Sequence, residues 1–255
     1  AAVVVKGCVF VLGGCSAEGE DLSDVDRLDP RFGVWTKEDR LAGGRDELAA
    51  AASRDRLFAL GGSHLVWPQR HVVSDAEVLQ LSPTGQAEGT WEPLPALNEE
   101  RCAAAALWLL DHLYILGGCD EEGAALNSAE CLQPSQGNTW QPLPQMPRGR
   151  CNFAAAAVHG RIVVAGGYDD RMEDLDSVEC FNPLTQVWES LPPLPVPRWG
   201  LRAVSRGGQV FILGGHTREG ETRQGEHLDF SLARWSVLPP LKQQRRSFGF
   251  AAVLT

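Results

Sequence analysis

A pair of glycines closing an apolar run recurs five times in this chain, at Gly13-Gly14, Gly61-Gly62, Gly117-Gly118, Gly166-Gly167 and Gly214-Gly215, with spacings of 48, 56, 49 and 48. A period of that size means an array of like supersecondary units, because none of them can bury its apolar surface alone. Each doublet is followed by a tryptophan, Trp35, Trp91, Trp140, Trp188 or Trp235. Ten residues after each of the first four stands an arginine, Arg45, Arg101, Arg150 or Arg198, and each of these lies 16 residues before the next doublet. After Trp235 the offsets of ten and eleven are Arg245 and Arg246. The doublets Gly43-Gly44 and Gly207-Gly208 fall off the period and read as turns.

One unit shows what repeats. Phe153 to Val158 is an apolar run, and His159-Gly160 is a turn. Arg161 to Ala165 leads into Gly166-Gly167. A polar loop from Tyr168 to Asp176 precedes Ser177 to Phe181; Asn182-Pro183 turns the chain, and Gln186 to Ser190 is a fourth short run. Four short segments bounded by turn residues are four strands. The first two are almost continuously apolar, as expected of strands buried on both faces. No helical period of useful length is present.

Four strands per unit with a Gly-Gly doublet and a spaced tryptophan resemble the kelch repeat of β-propellers. The resemblance covers the whole chain. It implies an all-β propeller of five four-stranded blades in one domain spanning 1–255, with units of about 1–44, 45–100, 101–149, 150–197 and 198–245. Residues 246–255 match the start of a unit, so they are expected to supply the first strand of blade one and displace the N-terminal residues, which would hide an open sheet edge. Six blades with one missing or incomplete is the alternative, since kelch-like adaptors usually have six.

The net charge of −10, from 33 acidic and 23 basic residues, is the opposite of what nucleic acid or an anionic membrane attracts, so neither is expected as a partner. No apolar run reaches the ~18–20 residues of a membrane span. The opening AAVVVKG lacks the basic start and cleavage site of a signal peptide. Seven cysteines without a CxxC point to reduced thiols in the cytoplasm or the nucleus. The six histidines are scattered, and no metal or other cofactor is expected.

In kelch-like substrate adaptors, the arginine opening each first strand faces the substrate. The resemblance therefore implies a pocket built by Arg45, Arg101, Arg150, Arg198 and Arg246. Residues after the doublets, Cys15, Ser63, Cys119, Tyr168 and His216, would share that face, with Asn152, Trp199 and Ser247 beside them. Guanidinium forks suit the carboxylates of an acidic peptide. The same arginines could instead pair with the repeated acids Asp26, Glu77, Glu130, Glu179 and Glu226, and some pairing is needed to relieve their mutual repulsion. Acidic loops at Glu18 to Asp24, Asp120 to Glu122 and Asp169 to Asp174 read as solvated faces or as a sign of basic flanks on the partner. The long loop from Ser63 to Asp75 offers Trp67, with Arg70 and His71 beside it, as a contact. Cys102 and Cys151 share one repeat position and Cys15 and Cys119 another, which favours inherited packing, with redox sensing beside the arginines as the other reading.

Three function classes follow from the resemblance. The first is a protein-recognition domain, the substrate-binding part of a cullin-RING ubiquitin ligase adaptor, reaching the cullin through an upstream BTB domain absent from this chain. The second is an enzyme. Copper oxidase chemistry needs a tyrosine pair and histidines, and only Tyr114, in an apolar run, and Tyr168 exist. A mutarotase of the sialic acid type would need an acid–base constellation, and none is evident. The third is an actin-binding module, for which no basic patch speaks. The expectation is a non-enzymatic module that binds a protein or peptide.

Overall fold

Repeat periodicity becomes five antiparallel four-stranded sheets in the computed structural model, which describes residues 1–66, 69–134 and 139–246. Blade one holds β1 (Ala2–Val5), β2 (Cys8–Cys15), β3 (Asp21–Asp29) and β4 (Val34–Lys37). Blade two holds β5 (Ala49–Ala52), β6 (Arg56–Leu60), β9 (Ala76–Gln80) and β10 (Glu92–Pro93), with a hairpin of β7 (Ser63–Val66) and β8 (Gln69–Val72) inserted after its doublet. Blade three is β11 (Ala105–Leu109), β12 (His112–Leu116), β13 (Ala129–Leu132) and β14 (Gln141–Pro142). Blade four is β15 (Ala154–Val158), β16 (Arg161–Ala165), β17 (Val178–Asn182) and β18 (Val187–Leu191). Blade five is β19 (Arg202–Arg206), β20 (Gln209–Leu213), β23 (Gly225–Asp229) and β24 (Arg234–Val237), with the short hairpin β21 (His216–Thr217) and β22 (Gly220–Glu221). The described residues contain no helix.

The first strands line a central cavity of about 720 Å³. Alanines predominate on its wall, at Ala49–Ala52, Ala103–Ala106 and Ala154–Ala155, where the strands converge. Apolar clusters fill the spaces between successive blades. Phe10 and Leu12 meet Leu57 and Ala59; Phe58 and Leu60 meet Leu113 and Ile115; Leu116 meets Ile162 and Val164; Val163 and Ala165 meet Val210 and Ile212. Phe58 also stacks on Trp108 with centroids 5.4 Å apart. Each repeat tryptophan after the first closes one of these spaces with its indole N–H. Trp91 donates to Asp39 O at 3.0 Å, and Trp140, Trp188 and Trp235 donate to the carbonyls of Pro95, Pro144 and Pro192 at 2.9 Å. The indoles thus fill and polar-satisfy the gaps between blades.

Blade one departs from the expected closure. Its first strand is Ala2–Val5 from the N-terminal side, with Ala2 opposite Val11 and Val5 opposite Cys8. The position assigned to the C-terminal segment is therefore already filled, because the valines next to Lys6-Gly7 form a tight hairpin with β2. Of residues 246–255, only Arg246 lies within the described residues.

The blade-five-to-blade-one seam also differs from the other four spaces. β6, β12 and β16 are buried on both faces, whereas β2 and β20 alternate buried and half-buried. Trp35 is 53 % exposed, unlike Trp91 and Trp140. Among the described residues no apolar cluster joins blade five to blade one. In a stack of nearest-neighbour units, stability then falls toward the seam. Hydrogen exchange should show amides of β2 and β20 exchanging roughly tenfold or more faster than those of β12 and β16, the ratio that ~1.4 kcal/mol of local stability represents. Equal protection across the five sheets would contradict this account.

Candidate site at the mouth of the central cavity

The doublets build one face of the propeller. The first glycine has φ between 54° and 65° and the second between 94° and 113°, a region other residues enter only at a cost. Space is also lacking, since a Cβ on Gly166 would lie 2.6 Å from Arg198 O. The second glycine donates its N–H to the carbonyl of the arginine opening the next blade: Gly14 to Arg45, Gly62 to Arg101, Gly118 to Arg150, Gly167 to Arg198 and Gly215 to Arg245, at 2.8–3.0 Å. Arg245 thus holds the fifth repeat position, correcting the assignment of Arg246.

The arginine side chains run inward, not toward a ligand. Arg45, Arg101, Arg150 and Arg198 are 0–1 % exposed. Each Nη1 donates to the carbonyl of the first doublet glycine of its own blade, at 3.1 Å to Gly61, 2.8 Å to Gly117, 2.8 Å to Gly166 and 3.4 Å to Gly214. Each Nη2 pairs with a buried glutamate: Glu77, Glu130, Glu179 or Glu226. Burial pulls Arg101 and Arg150 below the ordinary guanidinium value, and the facing glutamates oppose it. The ligand-facing reading of these four arginines is overturned, because their side chains are buried and their Nη1 and Nη2 groups are turned onto the glycine carbonyls and the buried carboxylates. In blade one no arginine reaches Asp26 among the described residues, while Arg245 is exposed.

What remains at the mouth is the pair of positions flanking each arginine and doublet. Within each of blades two to five they form a short antiparallel bridge: Asp46 with Ser63, Cys102 with Cys119, Cys151 with Tyr168, and Trp199 with His216. One residue further, Glu47, Ala103 and Asn152 take φ of 50–51°, and Gly200 takes 65°. Their backbones chain around the opening: Ala103 N–H to Glu47 O at 2.9 Å, Asn152 to Ala103 at 3.1 Å, Gly200 to Asn152 at 2.7 Å. Such φ values are uncommon outside glycine, and here the ring of hydrogen bonds imposes them.

Chemistry varies around this ring. On blade two, Ser63 is buried and its Oγ accepts from Arg70 Nε at 2.6 Å, while Arg70 pairs with Glu47 at 2.8 Å. Trp67 lies outside the described residues. On blades three and four, Cys119 and Cys151 form a disulfide, against the expectation of reduced thiols throughout, and Cys8, Cys15, Cys102, Cys131 and Cys180 are free. On blades four and five, Tyr168 stands edge-on to Trp199 at 6.0 Å, and Trp199 stacks on His216 at 5.1 Å. Arg246 lies over the Trp199 ring, 5.2 Å from its centroid, and also pairs with Glu221 at 3.0 Å. Asn152 Nδ2 donates to the Tyr168 hydroxyl at 3.5 Å. The structure therefore brings together Asn152, Tyr168, Trp199, His216 and Arg246, and separates from them the four buried arginines and Ser63.

The acidic loops lace neighbouring blades together. Asp21 accepts from Leu65 N–H, His71 meets Glu121 at 3.1 Å, and Asp170 accepts from Ala125 N–H at 2.6 Å. Sequence reasoning missed Arg202, whose inner strand places it on the cavity wall beside Ala203 and Ser205. Its signal was an arginine in a position that other blades fill with alanine. Among the described residues, no group of three His, Cys, Asp or Glu side chains is placed to hold a metal ion, and no helix is long and apolar enough to cross a membrane.

Five sheets around a cavity, joined by doublets, indoles and buried Arg–Glu pairs, define a kelch β-propeller, a typical protein-interaction domain. The family model described as the KLHDC2/KLHL20/DRC7 Kelch-repeats domain matches residues 1–215, and the chain belongs to that family. Among curated proteins it is similar to Kelch domain-containing protein 8B of Rattus norvegicus, 32 % identical over 141 residues, and to that of Homo sapiens, 31 % identical over 141 residues. Each match covers 51 % of this chain and 38 % of the relative, so the chain aligns with well under half the length of these proteins.

The ion pairs give a sharp stability test. Glu179→Ala leaves Arg150 buried without its carboxylate and should lower the unfolding free energy by about 3–5 kcal/mol. Replacing both, Arg150→Met with Glu179→Leu, strands no charge but leaves the Gly166 carbonyl without its donor, so it should cost less than the single change without being neutral. Urea titrations of the three proteins compare these costs; a mild effect of the single change would mean that the pair is not a buried cross-brace.

Proposed function

We propose that this face binds a protein partner through a short exposed segment, with Trp199 and Arg246 as anchors. The observation that supports it is the ledge of Tyr168, Trp199 and His216 under an Arg246 guanidinium. Tryptophan and arginine are the side chains most enriched where binding energy concentrates. An indole face receives an apolar or aromatic side chain, and the guanidinium beside it receives a carboxylate. The acidic loops of blades three and four, at Asp120 to Glu122 and Asp169 to Asp174, favour basic residues flanking that segment. This reading assigns no catalysis. It sets the module in the cytoplasm or the nucleus, which the five free thiols support.

The finer role, substrate recognition for a cullin-RING ubiquitin ligase by way of an upstream BTB domain, is supported by the resemblance of the repeat spacing to those adaptors. Co-purification of a cullin with the full-length protein tests that role by itself.

A screen of displayed peptides against the folded chain tests the site. An enriched motif is expected, and Trp199→Ala should weaken its binding about 30-fold, the factor that ~2 kcal/mol represents. Arg246→Glu should weaken peptides that carry a carboxylate more than those that lack it. Enriched peptides that bind both variants as tightly as the parent would move the site elsewhere.

A further inference from the structure

Cys119 follows the doublet of blade three, and Cys151 follows the arginine of blade four. Their Cα atoms are 5.6 Å apart, and their sulfurs are joined across the space between the two blades. We propose that this pair is a redox site that exchanges with low-molecular-weight thiols and disulfides, and that its state sets the hydrogen bonding of Tyr168 on the aromatic ledge.

Both states are provided for. Cys151 Sγ lies 3.1 Å from Gly118 O, so a thiol there has an acceptor waiting. Cys119 Sγ lies 3.6 Å from the Tyr168 hydroxyl, so a thiol there can donate to it. When the bond opens the two sulfurs move apart, and rotation of the side chains lets them do so while the bridges hold the backbone. Cys119 is held by its bridge to Cys102, and Cys151 by its bridge to Tyr168, with N–H···O distances of 2.8–3.0 Å. Two sulfurs kept side by side by the scaffold close their bond at little further entropic cost. The third nearby cysteine does not compete. Cys102 is buried, and burial together with the Glu47 carboxylate pushes its thiol up to about 12, so it stays protonated and is a poor attacking group.

Access sets the direction of attack. Cys119 is 5 % exposed and Cys151 is fully buried. An incoming thiolate RS⁻ therefore attacks Cys119 Sγ. The S–S bond breaks, and its electron pair leaves on Cys151 Sγ, which takes a proton from solvent and, as a thiol, donates a hydrogen bond to Gly118 O. A second thiol attacks the mixed disulfide, releasing RSSR and the Cys119 thiol. Overall the protein disulfide and 2 RSH become the protein dithiol and RSSR; oxidation is the reverse, with RSSR as the oxidant. With the bond closed, Cys119 has no proton to give. With it open, the thiol holds the hydroxyl of the ring that stands against Trp199.

The redox site stands independently of the partner; only its effect on binding rests on the proposed function. The chain is equilibrated in glutathione and glutathione disulfide at stepped ratios, denatured in N-ethylmaleimide, and weighed intact and as mapped peptides. Seven adducts are expected at the reduced end, one per cysteine. Five are expected at the oxidised end, with the missing two at Cys119 and Cys151. The midpoint should be the same from both directions and unchanged in Cys102→Ala, while Cys119→Ser should abolish the transition. Seven adducts at every ratio, or a missing adduct at Cys102, would overturn the redox site. A peptide from the display screen that binds both ends equally would overturn the coupling to the ledge and leave the recognition reading intact.

Discussion

Everything else in this propeller hangs from an arginine used twice. Its backbone carbonyl receives the N–H of the second glycine of the preceding blade. Its side chain reaches forward to the first glycine carbonyl and the buried glutamate of its own blade, as Arg101 does to Gly117 and Glu130. The glutamate in turn reaches back, since the other oxygen of Glu130 accepts from Asn98 N–H at 3.0 Å in the chain leaving blade two. A buried ion pair in isolation gives little net stability, because desolvation cancels most of the attraction. Here the guanidinium also satisfies carbonyls that would otherwise be stranded at the end of a buried strand, and an unmet buried carbonyl is costly. The result fixes how one blade sits on the next.

That coupling is strictly between neighbours, so the spaces between blades need not be alike. Asp26 has no arginine and Arg245 no glutamate among the described residues, and the half-exposed Trp35 indole donates to no carbonyl there. The same three devices that seal four spaces are half-present on each side of the fifth. The half-buried faces of β2, with Val9 and Val11, and of β20, with Phe211 and Leu213, follow from this. Packing density in the ring is thus a property of pairs of blades, and the interior blades two, three and four carry the most of it.

Periodic features were legible in the sequence because each is imposed by a local steric or packing demand that recurs. The doublets mark a left-handed turn against a carbonyl, the spaced tryptophans fill interblade gaps, and the 16-residue interval from arginine to doublet is the length of the reach from Arg45 to Gly61. The strands of blade four fall within a residue or two of where the apolar runs place them. For the arginines the sequence left two readings open, facing a ligand or pairing with the repeated acids, because a residue type cannot say whether its side chain runs into the blade or out of it; the buried pairs with Glu77, Glu130, Glu179 and Glu226 decide for the second. The disulfide was equally hidden. Cys119 and Cys151 occupy different repeat positions, and they meet only because the doublet loop of one blade lies against the arginine segment of the next.

Because arginine, doublet and glutamate are committed to holding blades together, individuality is left to the residues just beside them. The position after the arginine is Asp46, Cys102, Cys151 and Trp199 in successive blades, and the position after the doublet is Ser63, Cys119, Tyr168 and His216. All eight sit in the same bridge geometry, so their Cα positions repeat while their chemistry does not. A symmetric scaffold thereby carries an asymmetric face, with a carboxylate and a hydroxyl on one side, sulfur in the middle and stacked rings under a guanidinium on the other. A partner read by such a face is bound in one orientation, since turning it by one blade would set its apolar anchor on Cys151 instead of Trp199. Recognition by a propeller of this kind is a matter of which side chains interrupt the repeat, and blades four and five interrupt it most.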